Sequence, residues 1–119
     1  MKYSDVEKHC LSLPGATLSI QWGDDHIFKV GGKMFAGVGI EKGKAVHLAF
    51  KTADDTFEIL TKMPGIVPAP YMARAHWVSL EKMSALPARD LRAYLTRAHA
   101  LIAAKLPKKT QASLGIGER

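Results

Sequence analysis

The chain contains a single cysteine, Cys10, among its 119 residues. One cysteine excludes an intramolecular disulfide, which fits a reducing compartment. No hydrophobic run reaches the about 20 residues that a membrane-spanning helix requires, and the opening stretch MKYSDVEKHC lacks the apolar core of a secretory signal. These absences predict a soluble, cytoplasmic protein that has no membrane partner.

Catalytic and metal-binding motifs are also missing. The five histidines lie in different predicted elements, and no two of them form an H-x-x-x-H pair. No serine occupies a G-x-S-x-G turn. The stretch VGGKMFAGVG continues into another strand, whereas a phosphate-binding loop must lead into a helix. Cys10 lies on the apolar face of a predicted helix and fits a buried residue better than a nucleophile. We therefore predict a binding protein with no cofactor, no metal and no catalytic residues.

The basic charge is concentrated in the second part of the chain. Residues 1–73 carry eight Lys or Arg and eight Asp or Glu, whereas residues 74–119 carry nine and three. The formal net charge of +6 therefore arises entirely from residues 74–119. A basic surface attracts polyanions and raises their encounter rate, which makes nucleic acid the first partner to consider. The alternative is a solvated surface that only maintains solubility.

Changes in hydrophobic period divide the chain into predicted elements. An apolar stripe predicts a helix over about 4–13, and period-2 alternation with short glycine-containing turns predicts four strands between about 17 and 51. Such short connections favour antiparallel neighbours. A second helix from about 53, a fifth strand at about 76–81 and a long helix over about 87–106 complete the order α-β-β-β-β-α-β-α.

Helix ends and domain limits follow from the same patterns. Ser4 with Glu7, and Thr52 with Asp55, have the spacing of capping boxes, so we expect Ser4 and Thr52 to cap the first two helices. We predict one α+β domain over 1–107, with a meander sheet of about five strands flanked by helices. The remaining residues, 108–119, are predicted to form a flexible tail.

The segment PGIVPAPYMARAHWVSL, residues 64–80, fits neither a helix nor a clean strand. Its prolines stiffen the approach to the fifth strand, and the apolar Ile66, Val67 and Met72 are suited to hold a loop against the sheet. We interpret the segment as a structural clasp. Its aromatic residues then have two open interpretations. They form a stacking surface for exposed bases together with Trp22, or the tryptophans are buried in the core, as is more common.

Lysines flank the predicted hairpin turn at Gly31 and Gly32. Lys29 and Lys33 put two positive charges at the end of a ribbon, where they either contact phosphate or only discourage strand addition. Together with the basic C-terminal part they predict a surface that binds DNA with low sequence specificity. The predicted phosphate contacts are Lys29, Lys33, Arg74, Lys82, Lys108 and Lys109, and the predicted positioning or stacking residues are Tyr71, His76 and Trp77.

A non-catalytic module for a protein partner or a small anionic ligand is the alternative function. The two hypotheses differ in the surface that they require. A deep pocket that encloses Tyr71, His76 and Trp77 would favour the small ligand, and a flat basic face would favour nucleic acid.

Three stretches of the sequence resemble one known family. They are LPGATLSIQWGDDHIFKVGGKMFA, residues 13–36, MPGIVPAPYMARAHWVSL, residues 63–80, and HALIAAKLPKK, residues 99–109. In this order they are similar to the MmcQ/YjbR family of small bacterial proteins. The resemblance implies a CyaY-like, or double-wing, α+β fold in which helices cover one face of an antiparallel sheet. It also implies DNA binding, the function commonly attached to members of the family.

The sequence departs from relatives of this architecture in two places. Frataxin-type proteins bind iron on an acidic ridge, whereas the first helix here offers only Asp5 and Glu7 beside Lys8 and His9. Iron binding is therefore disfavoured. Many family members carry an Asn-Lys pair after the methionine of the clasp segment, where this chain has Ala73-Arg74. Any role of that asparagine is absent from this protein.

Overall fold

The computed structural model of the protein describes residues 1–70 and 72–116. Its helices are α1 (Tyr3–Leu11), α2 (Asp54–Leu60), α3 (Ala88–Ala103) and α4 (Lys108–Ser113). Its strands are β1 (Ala16–Gln21), β2 (Asp25–Val30), β3 (Lys33–Glu41), β4 (Lys44–Lys51), β5 (Ile66–Pro68) and β6 (Trp77–Leu80). Single turns of 3-10 helix lie at Ala73–Ala75 and Met83–Ala85. None of the helices in the described ranges is long and apolar enough to cross a membrane.

The strands form one antiparallel sheet in the order β1-β2-β3-β4-β6-β5. Strands β1 to β4 follow one another in a meander, because their connections have room only for tight turns. The predicted α+β fold is confirmed, with six strands where the sequence indicated about five. Irregularities in register occur at Phe28/Lys29 and at Gly39/Ile40.

The hydrophobic core lies between the helices and one face of the sheet. Helix α3 packs across β2, β3 and β4, and α1 packs against α3 and β1. The predicted stripe of α3 is fully buried at Leu91 and Leu95 and meets Phe28 and Phe50 of the sheet within one cluster. Cys10 belongs to the same cluster, and burial raises the pKa of its thiol to about 12. A thiol protonated at neutral pH is a poor nucleophile, in agreement with the structural role predicted for Cys10.

The predicted capping residues of α1 and α2 are wrong. Helix α1 begins at Tyr3, one residue before Ser4, and the Asp5 carboxylate accepts a hydrogen bond from the backbone N–H of Lys2 at 3.1 Å. Thr52 precedes the Ala53 cap of α2 and donates its hydroxyl instead to the carbonyl of His76, at 2.7 Å. Ser4 and Thr52 both have side chains that can cap a helix. At α1, however, the neighbouring Asp5 makes the hydrogen bond, and Thr52 is engaged in a tertiary contact.

Residues 66–68 form a strand that the period-2 pattern could not reveal, since it spans only three residues. Ile66 pairs with Leu80 and Pro68 with Val78, so β5 is an edge strand beside β6. A proline is tolerated there because an edge strand needs hydrogen bonds on one side only. Ile66 is buried in the core. The clasp therefore attaches to the sheet by backbone pairing as well as by apolar contact.

Residues 108–113 form helix α4, in a stretch for which the sequence predicted a flexible tail. Two apolar residues after the helix, Leu114 and Ile116, pack against the core. The Gln111 side chain donates a hydrogen bond to the carbonyl of Leu106 at 2.7 Å, which ties the helix back to the preceding turn. The polar stretch KKTQAS gives no sign of these anchors. Residues 117–119 lie outside the described residues.

Candidate functional site

One end of the sheet collects cations from four separate parts of the chain, and we call this surface the basic end. Strands β3 and β4 are antiparallel with Ala36 opposite Phe50, so the start of β3 and the end of β4 lie together. Lys51, at the end of β4, is opposite Trp77, so the turn that precedes β6 lies at the same end. The basic end consists of Lys29, Lys33, Lys51, Arg74, Lys105, Lys108 and Lys109.

A contact at the β2–β3 turn brings the C-terminal lysines to this end. Gly31 has φ +58°, and a Cβ built on it would lie 2.6 Å from Cδ1 of Leu106. The turn therefore lies directly against Leu106, which is buried two residues before Lys108. The lysine-flanked turn and the N-terminal end of α4 form one continuous surface. Lys33, Lys108 and Lys109 are all exposed on it.

Lys51 connects the remaining cations. Its ammonium group donates a hydrogen bond to the carbonyl of Ala75, which holds the turn that carries Arg74. Partial burial and the nearby charge of Lys105 lower the pKa of Lys51, while Asp54 acts in the opposite direction. The two ammonium groups lie in one cleft, which the carboxylates of Asp54 and Asp55 also line. Lys51 and Lys105 were not among the predicted contacts.

His76 is committed to structural contacts rather than presented for stacking. It adopts a left-handed backbone conformation with φ 60°. Its Nδ1 lies 2.6 Å from the carboxylate of Asp54, and its ring lies 4.9 Å from that of Phe57. Its carbonyl accepts hydrogen bonds from both the backbone N–H and the hydroxyl of Thr52. His76 therefore joins the start of β6 to α2, and Asp54 offsets part of the positive charge nearby.

The other residues that the sequence predicted to contact DNA lie in different parts of the molecule. Lys82 follows β6 at the end of the sheet opposite to the basic end, because Leu80 pairs with Leu48 and Trp77 with Lys51. Trp77 is buried, 4% exposed. Tyr71 lies outside the described residues. Lys29, Lys33, Arg74, Lys108 and Lys109 are thus the predicted phosphate contacts that the fold assembles.

The face of the sheet opposite the helices carries a cavity of about 610 Å³. Its floor is a row of facing residues on β2, β3, β4 and β6: Ile27, Gly37, Ala49 and Ser79. The middle of this row has small side chains, which makes the face concave. We call this side of the sheet the open face.

The rim of the cavity is largely aromatic and sulfur-containing. Trp77, with Met34 and Met72, lines one part. Trp22, which is 70% exposed and has φ 51°, lines another. The two tryptophans therefore line one cavity. The sequence left open whether the tryptophans are buried or exposed for stacking, and the structure shows one of each: Trp77 is buried and Trp22 is exposed to solvent.

Polar groups reach the cavity from three strands. Asp25 lines it and accepts a hydrogen bond from the backbone N–H of Ile40 at 3.1 Å. Ser79, only 6% exposed, lines the cavity from β6. The exposed His47 lies across Gly39, where a Cβ would come within 2.5 Å of the imidazole ring. No Lys or Arg occurs among the described residues that line the cavity.

Sequence reasoning did not identify most of this cavity. Its signal was present in the strand FAGVGI, where Gly37 and Gly39 alternate with the larger Ala36 and Val38. Because alternate residues of a strand point to opposite faces, two glycines at this spacing leave one face bare. The pattern shows the gap in one strand only. The facing Ala49 and Ser79 depend on the register between strands.

The YjbR family model matches residues 11–101 of the chain. The chain belongs to the YjbR family. Solved structures that are similar to this YjbR protein include the following two. A Deinococcus radiodurans protein, DR2400, described as having a DUF419 domain, is 24% identical with a TM-score of 0.85, over 98% of this chain and 89% of that one.

A protein from Pseudomonas syringae is 21% identical with a TM-score of 0.67, over 85% of this chain and 98% of that one. At these identities the two likenesses establish the fold. No curated protein matches the chain.

Proposed function

We propose that this YjbR protein binds nucleic acid, DNA in the first instance, with low sequence specificity through the basic end. The observation that carries the proposal is the convergence of cations from the β2–β3 turn, the end of β4, the turn before β6 and the start of α4. These segments are far apart in sequence, yet the Gly31–Leu106 contact and the Lys51–Ala75 hydrogen bond hold them together. Cations gathered in this way can contact the phosphates of a nucleic-acid backbone.

The proposed contacts are made with the phosphates of the nucleic-acid backbone. Lysine ammonium groups are point charges on flexible stems, so they bind phosphate without distinguishing bases. As the sequence led us to expect, we also propose that the protein is a binding module rather than an enzyme and that it acts in the cytoplasm. The small anionic ligand that we considered as an alternative is less well supported, since the cavity lining has the carboxylate of Asp25 and no Lys or Arg among the described residues.

Fluorescence anisotropy with labelled single- and double-stranded DNA across a salt series tests the proposal. If about four cations of the basic end contact phosphates, log affinity should fall against log salt with a slope of about −3.6 on duplex DNA. Replacing Arg74 or Lys108 by alanine should make the slope shallower by about 0.9.

Lys82 supplies the matched control, because it is an exposed lysine at the opposite end of the sheet. Lys82→Ala should leave the slope unchanged although it removes the same charge. An equal change for Lys82→Ala and Lys108→Ala would show that only net charge matters. The absence of binding at low salt with micromolar protein would refute DNA binding by this surface.

A further inference from the structure

We propose that the cavity on the open face binds a flat, uncharged heteroaromatic ring that carries N–H donors, the chemistry of a nucleobase. The cavity volume of about 610 Å³ lies within the range of small-molecule sites, about 300–1,000 Å³. None of the basic-end cations lines the cavity, so the proposal stands apart from the phosphate contact.

The shape and the apolar lining of the cavity favour a planar ring. Gly37, Gly39 and Ala49 keep the floor low, so that a thin ligand can lie against the sheet. Trp22 and Trp77 contribute indole rings at the rim, and base-aromatic stacking is among the strongest contacts available to an unpaired base. Met34 and Met72 add polarisable, adaptable surface.

The polar groups define the complementary pattern on the ligand. A carboxylate has about four acceptor positions, and the Ile40 N–H accounts for one on Asp25. Asp25 can therefore accept from an amino or ring N–H group. Ser79 brings to the cavity a hydroxyl that can both donate and accept a hydrogen bond.

The charge of the lining disfavours an anion. Apart from the titratable His47, Asp25 is the ionisable group among the described lining residues, and a carboxylate repels phosphate or carboxylate ligands. The ring can come from a free nucleoside or from an unstacked base in a strand. Both present the same edge to Asp25 and Ser79, and they differ in whether phosphates reach the basic end.

Titration of the intrinsic tryptophan fluorescence with adenosine tests the site on the full chain. We expect saturable quenching that is insensitive to salt, since the ligand is uncharged. Ala49→Leu should fill the floor and weaken binding at least tenfold. Trp22→Ala changes an exposed residue and should weaken binding at least fivefold, read out by calorimetry. Lys82→Ala, which removes an exposed lysine that does not line the cavity, should bind adenosine as the parent protein does.

A second experiment, with single-stranded DNA, shows whether the ring comes from a free nucleoside or from an unstacked base in a strand. Single-stranded DNA should lose affinity in Trp22→Ala, whereas the same strand with abasic sites should bind both proteins equally. If Trp22→Ala and Ala49→Leu change neither the binding of adenosine, tested at millimolar concentration, nor the binding of the single strand, the cavity is not a base-binding site. Equal binding of benzoate and adenosine would also overturn the proposal, because it would remove the discrimination against anions. DNA binding with a normal salt slope could survive either result, so the two proposals fail separately.

Discussion

The two faces of this sheet are built from neighbouring residues and have opposite character. In β4, Leu48 and Phe50 point towards the helices and are fully buried, while Ala49 between them points into the cavity of the open face. We call the side of the sheet that packs against the helices the covered face. Its large side chains pack between those of α1 and α3, whereas the open face carries small residues and a few separate aromatic ones. Most of the fully buried side chains therefore lie on the first face, and the buried Trp77 is an exception on the second.

The largest expected difference between the two faces is in β4, where neighbouring residues point to opposite sides of the sheet. Leu48→Ala should lower the free energy of unfolding by about 2–5 kcal/mol, because it removes buried contacts and leaves a space that the packed helices cannot close. Urea denaturation followed by circular dichroism measures the change. Ala49→Ser, one residue away on the open face, is the control and should cost less than about 1 kcal/mol. Equal costs would mean that the two faces do not differ in packing.

The second prediction concerns the margin of the covered face, where the β2–β3 turn meets the start of α4. Gly31 and Gly32 both have positive φ, but a Cβ added at Gly31 would meet Leu106, whereas one added at Gly32 would have no neighbour within 4 Å among the described residues. Both alanine variants should lose about 1–2 kcal/mol from the backbone conformation. Gly31→Ala should lose about 1–3 kcal/mol more, because its methyl group displaces Leu106.

The difference between these glycine variants also bears on the basic end. Displacing Leu106 should shift Lys108 and Lys109, so Gly31→Ala should show a shallower salt slope on DNA than Gly32→Ala does. If thermal or urea unfolding gave the same stability for both variants, the contact between the turn and Leu106 would contribute nothing.

A smaller effect is expected at the polar junction between β4 and β6. Thr52→Val keeps the shape of the buried side chain and removes the hydroxyl that donates to His76. Because the His76 carbonyl keeps its bond from the Thr52 backbone N–H, the loss should be about 1 kcal/mol. Thr61→Val removes a hydroxyl whose bond stays within one helical turn, to Phe57, and should cost less. The two variants are compared by urea denaturation, and a larger loss in Thr61→Val would contradict this ranking.

The sequence predicted the covered face better than the open face, for a physical reason. Periodicity reports large apolar residues, so the stripe of α3 and the meander were visible. A cavity forms where side chains are small, and small residues give no periodic signal. Ala49 and Ser79 contribute to the cavity only because the strand register places them in one row with Gly37. The basic end was partly visible as charge. Its assembly depends on Leu106 meeting Gly31, a contact between distant segments that no local pattern contains.

The smallest stability effect is expected for Trp22→Ala, on the rim of the open face. Trp22 is 70% exposed, so its indole contributes little burial, and replacing it removes a bulky residue from a positive-φ position. The free energy of unfolding should change by no more than about 0.5 kcal/mol. Trp77→Ala on the same face should cost about 3–5 kcal/mol, since that side chain is only 4% exposed. Urea denaturation of the two variants shows whether the tryptophans divide as the structure indicates. A loss of several kcal/mol in Trp22→Ala would mean that this indole supports the fold, and its place on the rim would then need no ligand to explain it.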